Sequence, residues 1–223
     1  MKNAQRMFGF YLYILIIILF IGCSRESLIP DQMDKSPFTG IPCAAPCWYG
    51  LTIGESNESN LTSILPTLTF INQDSIRRFP KSYVDSKELE IHADCLKPIK
   101  HCYTFYFIEN ILSEIDIVLN YKIEISEAVD FLGAPDYIGY RITSHDKVIC
   151  IVNAIWSDKQ LVLASKPFIK DEEELYCGSI RDFGKPISNM LISGVSYMTH
   201  ENIDRLMANP EWFFRYSGMI QEQ

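Results

Sequence analysis

Cysteine is the residue type in this chain whose chemistry and spacing are most informative, and there are seven. The six that follow Cys23 are Cys43, Cys47, Cys95, Cys102, Cys150 and Cys177. An even number of cysteines in an exported chain predicts disulfide bonds. Close spacing along the chain favours the local bonds Cys43–Cys47 and Cys95–Cys102. This leaves Cys150 to bond with Cys177. Zinc is the weaker alternative, because the chain has no CxxC motif and its histidines lack ligand spacing. We therefore expect no metal site.

A basic start and an apolar run mark the first 22 residues as a secretory signal. Lys2 and Arg6 precede residues 8–21, which contain neither a charge nor a proline. Such a layout holds the basic end in the cytoplasm while the apolar part enters the membrane. The run has about 14 residues, whereas a spanning helix needs roughly 20. We therefore expect residues 1–22 to be a signal peptide that is cleaved.

Residues 19–23 read Leu-Phe-Ile-Gly-Cys and resemble a bacterial lipobox, with Phe20 at a position where leucine is usual. In that class of protein the sulfur of Cys23 carries a diacylglyceryl group, and the chain is cut after Gly22. The resemblance implies a lipid anchor in the cell membrane or outer membrane, with the protein on the extracytoplasmic side. Each buried CH₂ of the acyl chains contributes about 0.8 kcal/mol to anchoring. An ordinary signal peptide is the alternative.

The balance of charge narrows the range of partners. The formal net charge is −8, and it becomes −10 once residues 1–22, with their two basic residues, are removed. A surface of this sign repels phosphate backbones, so we expect no nucleic acid partner. The remaining chain of about 200 residues is long enough to bury a core.

The order of elements predicts an α+β fold made of two stacked, similar units of short helices and antiparallel strands. Residues 23–42 contain prolines and charges without apolar periodicity, which predicts a flexible tether. The first unit then spans 43–122 and the second spans 123–223. In each unit we expect a loop, a short helix and a set of strands, in that order.

Apolar spacing and turn residues locate the individual elements. Leu61, Ile64, Leu65 and Leu68 predict one short helix, and a second is predicted from Ser126 to Leu132, with Gly133 ending it. The strongest hairpin joins 101–108 to 111–121 through Glu109-Asn110. Further strands are predicted at 69–79, 137–142, 148–156, 161–166 and 187–198, and Thr199 is expected to cap a last helix.

Two short segments carry a resemblance to known families. Residues 47–56, CWYGLTIGES, look like the opening of the mature part of uncharacterised lipoproteins. Residues 128–136, AVDFLGAPD, are similar to a turn of the BamE-type (SmpA/OmlA) small outer-membrane-assembly lipoproteins. Those proteins and the β-lactamase-inhibitor-like fold place short helices against one antiparallel sheet. The resemblance implies a role in scaffolding or in binding other envelope proteins.

A search for catalytic motifs finds none of the usual signatures. The sequence has no G-x-S-x-G elbow, H-E-x-x-H helix or P-loop. Cys95 or Cys102 with His92 or His101 could form a nucleophilic pair, but disulfide bonding explains these cysteines better. His92 and Asp94 could bind a metal weakly, although we expect them in an exposed loop. The sequence therefore predicts neither catalysis nor a cofactor.

Two aromatic clusters are the candidate contact surfaces. One is Trp48 with Tyr49, and the other is Trp212, Phe213 and Phe214. Such clusters either close a core or form an exposed patch, and the C-terminal cluster is the better candidate for a patch. We expect a lipid-anchored binding or scaffold module whose partners are the membrane and other envelope proteins. The alternatives are an inhibitor-like or ligand-sensing domain and, less favoured, an envelope hydrolase.

Overall fold

The computed structural model describes residues 34–83, 86–96, 102–142, 149–165, 168–169, 190–208 and 213–215, all within one compact unit, Asp31–Gln223. The helices are α1 (Ser36–Thr39), α2 (Glu58–Ile64), α3 (Ile125–Leu132) and α4 (His200–Leu206), and a 3₁₀ turn (Leu65–Thr67) follows α2. The strands are β1 (Cys47–Trp48), β2 (Leu51–Thr52), β3 (Ile71–Tyr83), β4 (Ser86–Cys95), β5 (Tyr103–Ile108), β6 (Ile111–Val118), β7 (Tyr137–Ile142), β8 (Ile149–Trp156), β9 (Leu161–Ser165), β10 (Phe168–Ile169), β11 (Ile192–Met198) and β12 (Phe213–Arg215).

One antiparallel sheet dominates the fold. In the described part of the chain it contains ten strands, in the order β12-β7-β8-β9-β11-β6-β5-β4-β3, with β10 paired to β8. Strands β1 and β2 form a separate two-stranded ribbon. This architecture confirms the predicted α+β class, with short helices and an antiparallel sheet.

The sheet is built from two repeats of the same plan. The first repeat is α2 followed by β3, β4, β5 and β6, and the second is α3 followed by β7, β8, β9 and β11. The last strands of the two repeats, β6 and β11, pair at the centre of the sheet. Asp116 pairs with Ser196, and on its other side each pairs with the preceding strand of its own repeat, Asp116 with Thr104 and Ser196 with Val162, so the repeats are related by an approximate two-fold axis at this pair. The flanking pairs are Ile117 with Val195 and Ile115 with Tyr197.

The start of each repeat shows the same relation. Asn57, the N-cap of α2, forms an isolated bridge with Ile111 at the start of β6. Glu124, the N-cap of α3, forms the equivalent bridge with Leu191, one residue before β11. Each repeat is therefore closed by its own helix cap. Because both repeats contribute strands to one sheet, they lie side by side and are not stacked as the sequence predicted.

The core lies on the face of the sheet that also carries α2 and α3, which we call the inner face. Alternate residues of the strands point to this face and are buried. Trp48 is completely buried there, with its ring 5.4 Å from the ring of Phe105. In the second repeat, Trp156 donates a hydrogen bond from Nε1 to the carbonyl oxygen of Gly133 (2.9 Å). Gly133 has a φ of +80° and ends α3, as predicted.

The opposite face, which we call the outer face, differs between the repeats. In the second repeat, α4 covers it, because Ile203 packs against Ile155 of β8 and Val162 of β9. Thr199 caps α4 by accepting a hydrogen bond from the backbone N–H of Asn202, as expected from the sequence. Among the described helices, none covers the outer face of the first repeat.

The N-terminal segment departs from its prediction. Of the expected tether, residues 23–33 lie outside the described residues, but Ser36, Pro37 and Phe38 are buried in and around α1. We call residues 34–40 the strap, because they pack on the inner face. Phe38 has its ring 6.4 Å from the ring of Tyr121, which follows β6. Buried contacts hold the strap, so this part is not a flexible linker.

Two other elements show what the pattern predicted well and what it missed. The hairpin of β5 and β6 is confirmed, and its turn residues Glu109 and Asn110 have φ values of 50° and 65°. Strand β4 was not predicted. It places His92 and Asp94 in the sheet, not in an exposed loop.

Candidate functional site

The outer face of the first repeat is the candidate site, and we call it the open face. It is formed by the outward side chains of β3, β4, β5 and β6, which the register of the sheet aligns. These residues are Asn72, Arg77, Phe79, Lys81, Glu88, Glu90, His92, Asp94, Thr104, Tyr106, Ile108, Ile111, Glu114, Asp116 and Val118. The face thus combines carboxylates, aromatic rings and aliphatic side chains, and its cations lie on the edge strand β3.

A small network surrounds Glu90 on this face. Lys81 of β3 forms an ion pair with Glu90, and the Nε2 of His92 lies 3.2 Å from the other carboxylate oxygen of Glu90. The ring of Phe79 meets the ring of His92 edge to face at 4.8 Å. Partial burial acts to raise the pKa of Glu90, but the hydrogen bonds from Lys81 and His92 outweigh it, so this pKa lies below its ordinary value. These contacts fix the side chains in place.

Tyr106 lies at the centre of the open face among three carboxylates. Burial of its phenol raises its pKa, and the negative charges of Asp116, Glu114 and Glu90 raise it further. Asp116 also accepts a hydrogen bond from Ser196 at the axis of the sheet. The phenol therefore ionises only above the usual pH range of a tyrosine.

Exposed apolar side chains border the acidic centre. Phe79, Ile108 and Val118 are 45%, 41% and 43% exposed. On the side towards the second repeat, Asn202 of α4 donates a hydrogen bond to Glu114 (3.4 Å), so α4 adjoins the open face. An acidic centre with apolar margins is the chemistry of a surface that binds a cationic, partly apolar partner.

A second cluster of polar side chains is buried on the inner face around Asp34 of the strap. Its carboxylate accepts hydrogen bonds from the backbone N–H of Ser36 (2.9 Å), the indole Nε1 of Trp48 (2.9 Å) and the hydroxyl of Tyr103 (3.4 Å). The hydroxyl of Tyr121 donates to the backbone oxygen of Asp34 (2.9 Å). Burial raises the pKa of the Asp34 carboxyl above its usual value, although the hydrogen bonds from Ser36 and Trp48 oppose the rise. The cluster anchors the strap to the first repeat.

Two of the predicted disulfides are present. Cys43 is bonded to Cys47, and Cys95 is bonded to Cys102 at the junction of β4 and β5. The Cys23 site and the predicted bond of Cys150 with Cys177 lie outside the described residues, apart from the position of Cys150 in β8. The two bonds confirm the expectation of local disulfide bonds within these two pairs.

The predicted aromatic contact surfaces do not form one site. Trp48 belongs to the core and is not an exposed contact residue, because its ring packs against Tyr103 and Phe105 and its Nε1 is bonded to Asp34. Tyr49 is only partly buried and packs edge to face on Trp48. In the C-terminal cluster, Phe213 and Phe214 belong to the backbone of β12, which pairs with β7. Trp212 lies outside the described residues.

The sequence did contain a signal for the open face. In β4, polar residues alternate with Leu89, Ile91 and Ala93, and the three apolar side chains point to the inner face. No local signal marked Asp34 as buried, because the donors Trp48, Tyr103 and Tyr121 come from distant parts of the chain.

Two kinds of feature are absent from the described residues. No three His, Cys, Asp or Glu side chains are grouped so that they could hold a metal ion. None of the described helices is long and apolar enough to cross a membrane.

The chain was also compared with known proteins. No protein-family model matches it, and searches of curated proteins and of solved structures found no match. The geometry of the open face and of the Asp34 cluster therefore carries the functional argument.

Proposed function

We propose that this protein is a lipid-anchored extracytoplasmic lipoprotein that acts as a non-catalytic binding or scaffold module. The anchor is Cys23, which follows the apolar run and the Leu-Phe-Ile-Gly sequence of a lipobox. The bonds Cys43–Cys47 and Cys95–Cys102 support export, because disulfides persist in oxidising compartments.

The repeat architecture supports a finer assignment of the fold. Each repeat places a short helix on one face of a shared antiparallel sheet. This is the arrangement expected from the resemblance of residues 128–136 to BamE-type lipoproteins and to the β-lactamase-inhibitor-like fold. In our proposal the protein has this fold, and the sheet serves as its binding platform.

The open face is the single observation that carries the binding function. The second repeat shows that the same sheet, when covered by a helix, uses the apolar residues Ile155 and Val162. The first repeat instead keeps Tyr106 and several carboxylates on its surface, bordered by exposed apolar side chains. Fixed polar groups beside exposed apolar groups are typical of a recognition surface.

Anchoring and binding can be tested in the same cells. We expect the wild-type chain to fractionate with membranes and Cys23→Ala to appear in the soluble fraction, with Ser24→Ala as the matched control. Membrane retention of Cys23→Ala equal to that of Ser24→Ala would contradict the anchor. Crosslinking in the intact envelope, followed by mass spectrometry, should identify a protein partner, and a blank result across growth conditions would contradict the binding function.

An inhibitor-like or ligand-sensing domain is the second candidate function. Tyr106 and Phe79 on the open face favour it, because aromatic side chains on an open sheet are suited to hold a ligand. In this case, extracts of small molecules would raise the melting temperature of the purified protein. A scaffold would respond to a protein partner instead.

A further inference from the structure

The second repeat shows what kind of element fits the outer face of this sheet. Helix α4 lies on it, with Ile203 against Ile155 and Val162. Tyr137, Met198, Leu206 and Met207 pack around these three residues. The outer face of the sheet therefore accepts a short helix laid across β8 and β9.

The register of the sheet identifies the equivalent positions in the first repeat. Thr104 of β5 is equivalent to Val162 of β9, because Thr104 pairs with Asp116 and Val162 pairs with Ser196 on opposite sides of the axis. His92 of β4 is likewise equivalent to Ile155 of β8, because His92 pairs with Thr104 and Ile155 pairs with Val162. The floor on which α4 sits is thus apolar, and the equivalent floor of the open face is polar.

The charge of the open face determines the sign of its partner. Its carboxylates are Glu88, Glu90, Asp94, Glu114 and Asp116, whereas its lysine and arginine residues are Lys81 and Arg77 on the edge strand. The whole chain also carries a formal net charge of −8. A cationic segment gains favourable electrostatic energy on this face, and an acidic one is repelled.

The margins of the face determine the rest of the partner's chemistry. Phe79, Ile108 and Val118 are each more than 40% exposed and lie around the acidic centre. A partner that buries them must bring apolar side chains next to its cations. An amphipathic helix with basic residues on its contacting side meets both requirements.

We infer that the open face binds a basic amphipathic helix of a partner protein, seated on the first repeat as α4 is seated on the second. This inference rests on the proposed binding function and names its site and partner chemistry. A second copy of this chain and an anionic lipid surface are the competing occupants, and the negative charge of the chain works against both.

The site is tested by photocrosslinking from two positions in the full-length chain, expressed in its own envelope. A benzophenone amino acid replaces Val118 on the open face or, as the control, Phe131 of α3. Both residues are exposed apolar side chains, at 43% and 55%. We expect a crosslink from position 118 to a peptide that is rich in lysine or arginine and helical in its own protein, and no crosslink to this peptide from position 131.

Two matched pairs of variants test the role of charge. Thr104→Lys adds a cation to the centre of the open face, and we expect it to reduce the crosslink from position 118 about tenfold or more, because it repels a basic partner. Thr67→Lys adds the same charge at an exposed position after α2 and should leave the crosslink unchanged. Glu88→Gln removes one carboxylate without a change of size and should reduce the crosslink about threefold, whereas Glu55→Gln in an exposed loop should not.

The possible outcomes distinguish a basic helix on the open face from the general binding function. Crosslinks from position 131 alone, or from position 118 to an acidic segment, to lipid or to a second copy of this chain, would overturn the inference and leave the binding function standing. No crosslink from either position, together with no partner in the general crosslinking of the envelope, would overturn both. Equal effects of Thr104→Lys and Thr67→Lys in proteins with unchanged circular dichroism spectra would also overturn the inference.

Discussion

The two repeats share a backbone plan and differ in what their outer faces present. Both place a short helix on the inner face, close it with a bridge from the helix cap, and contribute strands to one sheet. In the second repeat the outward residues beneath α4, Ile155 and Val162, are apolar, whereas the equivalent residues of the first repeat, His92 and Thr104, are polar. The same sheet thus carries an apolar outer surface where a helix covers it and a polar outer surface where no described helix does.

The inner faces differ as well, and the difference concerns the strap. Tyr103 of β5 is equivalent to Leu161 of β9, because the two residues hold the same place in the registers of the two repeats. The hydroxyl of Tyr103 donates to Asp34, and a leucine offers no such donor. The first repeat alone is thus suited to hold the polar end of the strap.

The largest expected effect comes from removing the cover of the second repeat. Ile203→Ala deletes a buried side chain between Ile155 and Val162, and we expect a loss of about 3 kcal/mol in the free energy of unfolding, measured with urea. Arg205→Ala removes an exposed side chain from the same helix and should cost less than about 0.5 kcal/mol. Similar losses for the two variants would show that α4 does not cover the outer face of the second repeat through Ile203.

The buried carboxyl of the strap gives the next effect, which depends on pH. The pKa of Asp34 is raised in the folded state. Between the ordinary aspartate pKa and this raised pKa, the native protein therefore keeps a proton that the unfolded chain has lost. Its contribution to stability is therefore present at low pH and is lost as the pH rises through the folded-state pKa.

The variant Asp34→Asn lacks this titration, although its amide has one acceptor oxygen where the carboxylate has two, one for Ser36 and one for Trp48. We expect the stability of Asp34→Asn relative to the wild type to increase as the pH rises from about 4 to 7. Urea denaturation at a series of pH values measures this difference. A constant difference over that range would contradict a raised pKa for Asp34.

Exchanging equivalent residues of the outer faces should give smaller and unequal effects. Val162→Thr buries a hydroxyl beneath α4, and we expect it to cost about 1–2 kcal/mol. Thr104→Val places a methyl group on the open face and should change stability by less than about 0.5 kcal/mol. Thermal unfolding of both variants provides the measurement, and equal costs would mean that the two outer faces are equally covered.

The sequence predicted the elements whose signals are local. The β5–β6 hairpin was predictable because its aromatic residues alternate and Glu109-Asn110 accepts positive φ values. Gly133 and Thr199 marked helix ends for equally local reasons. Strand β4 was missed, although Leu89, Ile91 and Ala93 alternate with polar residues, because acidic residues are uncommon in strands.

What the sequence could not provide is the pairing between distant segments. The buried state of Asp34 depends on Trp48, Tyr103 and Tyr121, which no local pattern connects to it. The side-by-side position of the repeats depends on the pairing of β6 with β11, which are separated along the chain by α3, β7, β8, β9 and β10. The open face is a consequence of this topology, so it could be recognised only after the strands were aligned.

The helix caps offer the finest test of the likeness between the repeats. In the first repeat Asn57 Oδ1 accepts a hydrogen bond from the backbone N–H of Asn60 (3.1 Å), and Asn60 Oδ1 accepts one from the backbone N–H of Asn57 (2.9 Å). In the second repeat Glu127 likewise reaches back to the backbone N–H of Glu124 (2.8 Å). We expect Asn57→Ala to cost about 1 kcal/mol, because it leaves a helix N–H without its acceptor. Glu124→Ala should cost less, because glutamate is not among the favoured N-cap residues, whereas asparagine is. Urea denaturation of both variants measures the difference, with Glu55→Ala, in the loop before α2, as a control.

If Glu124→Ala proved the more damaging of the two, the caps would not be equivalent parts of one repeated plan, and the two-fold relation would rest on the strands alone.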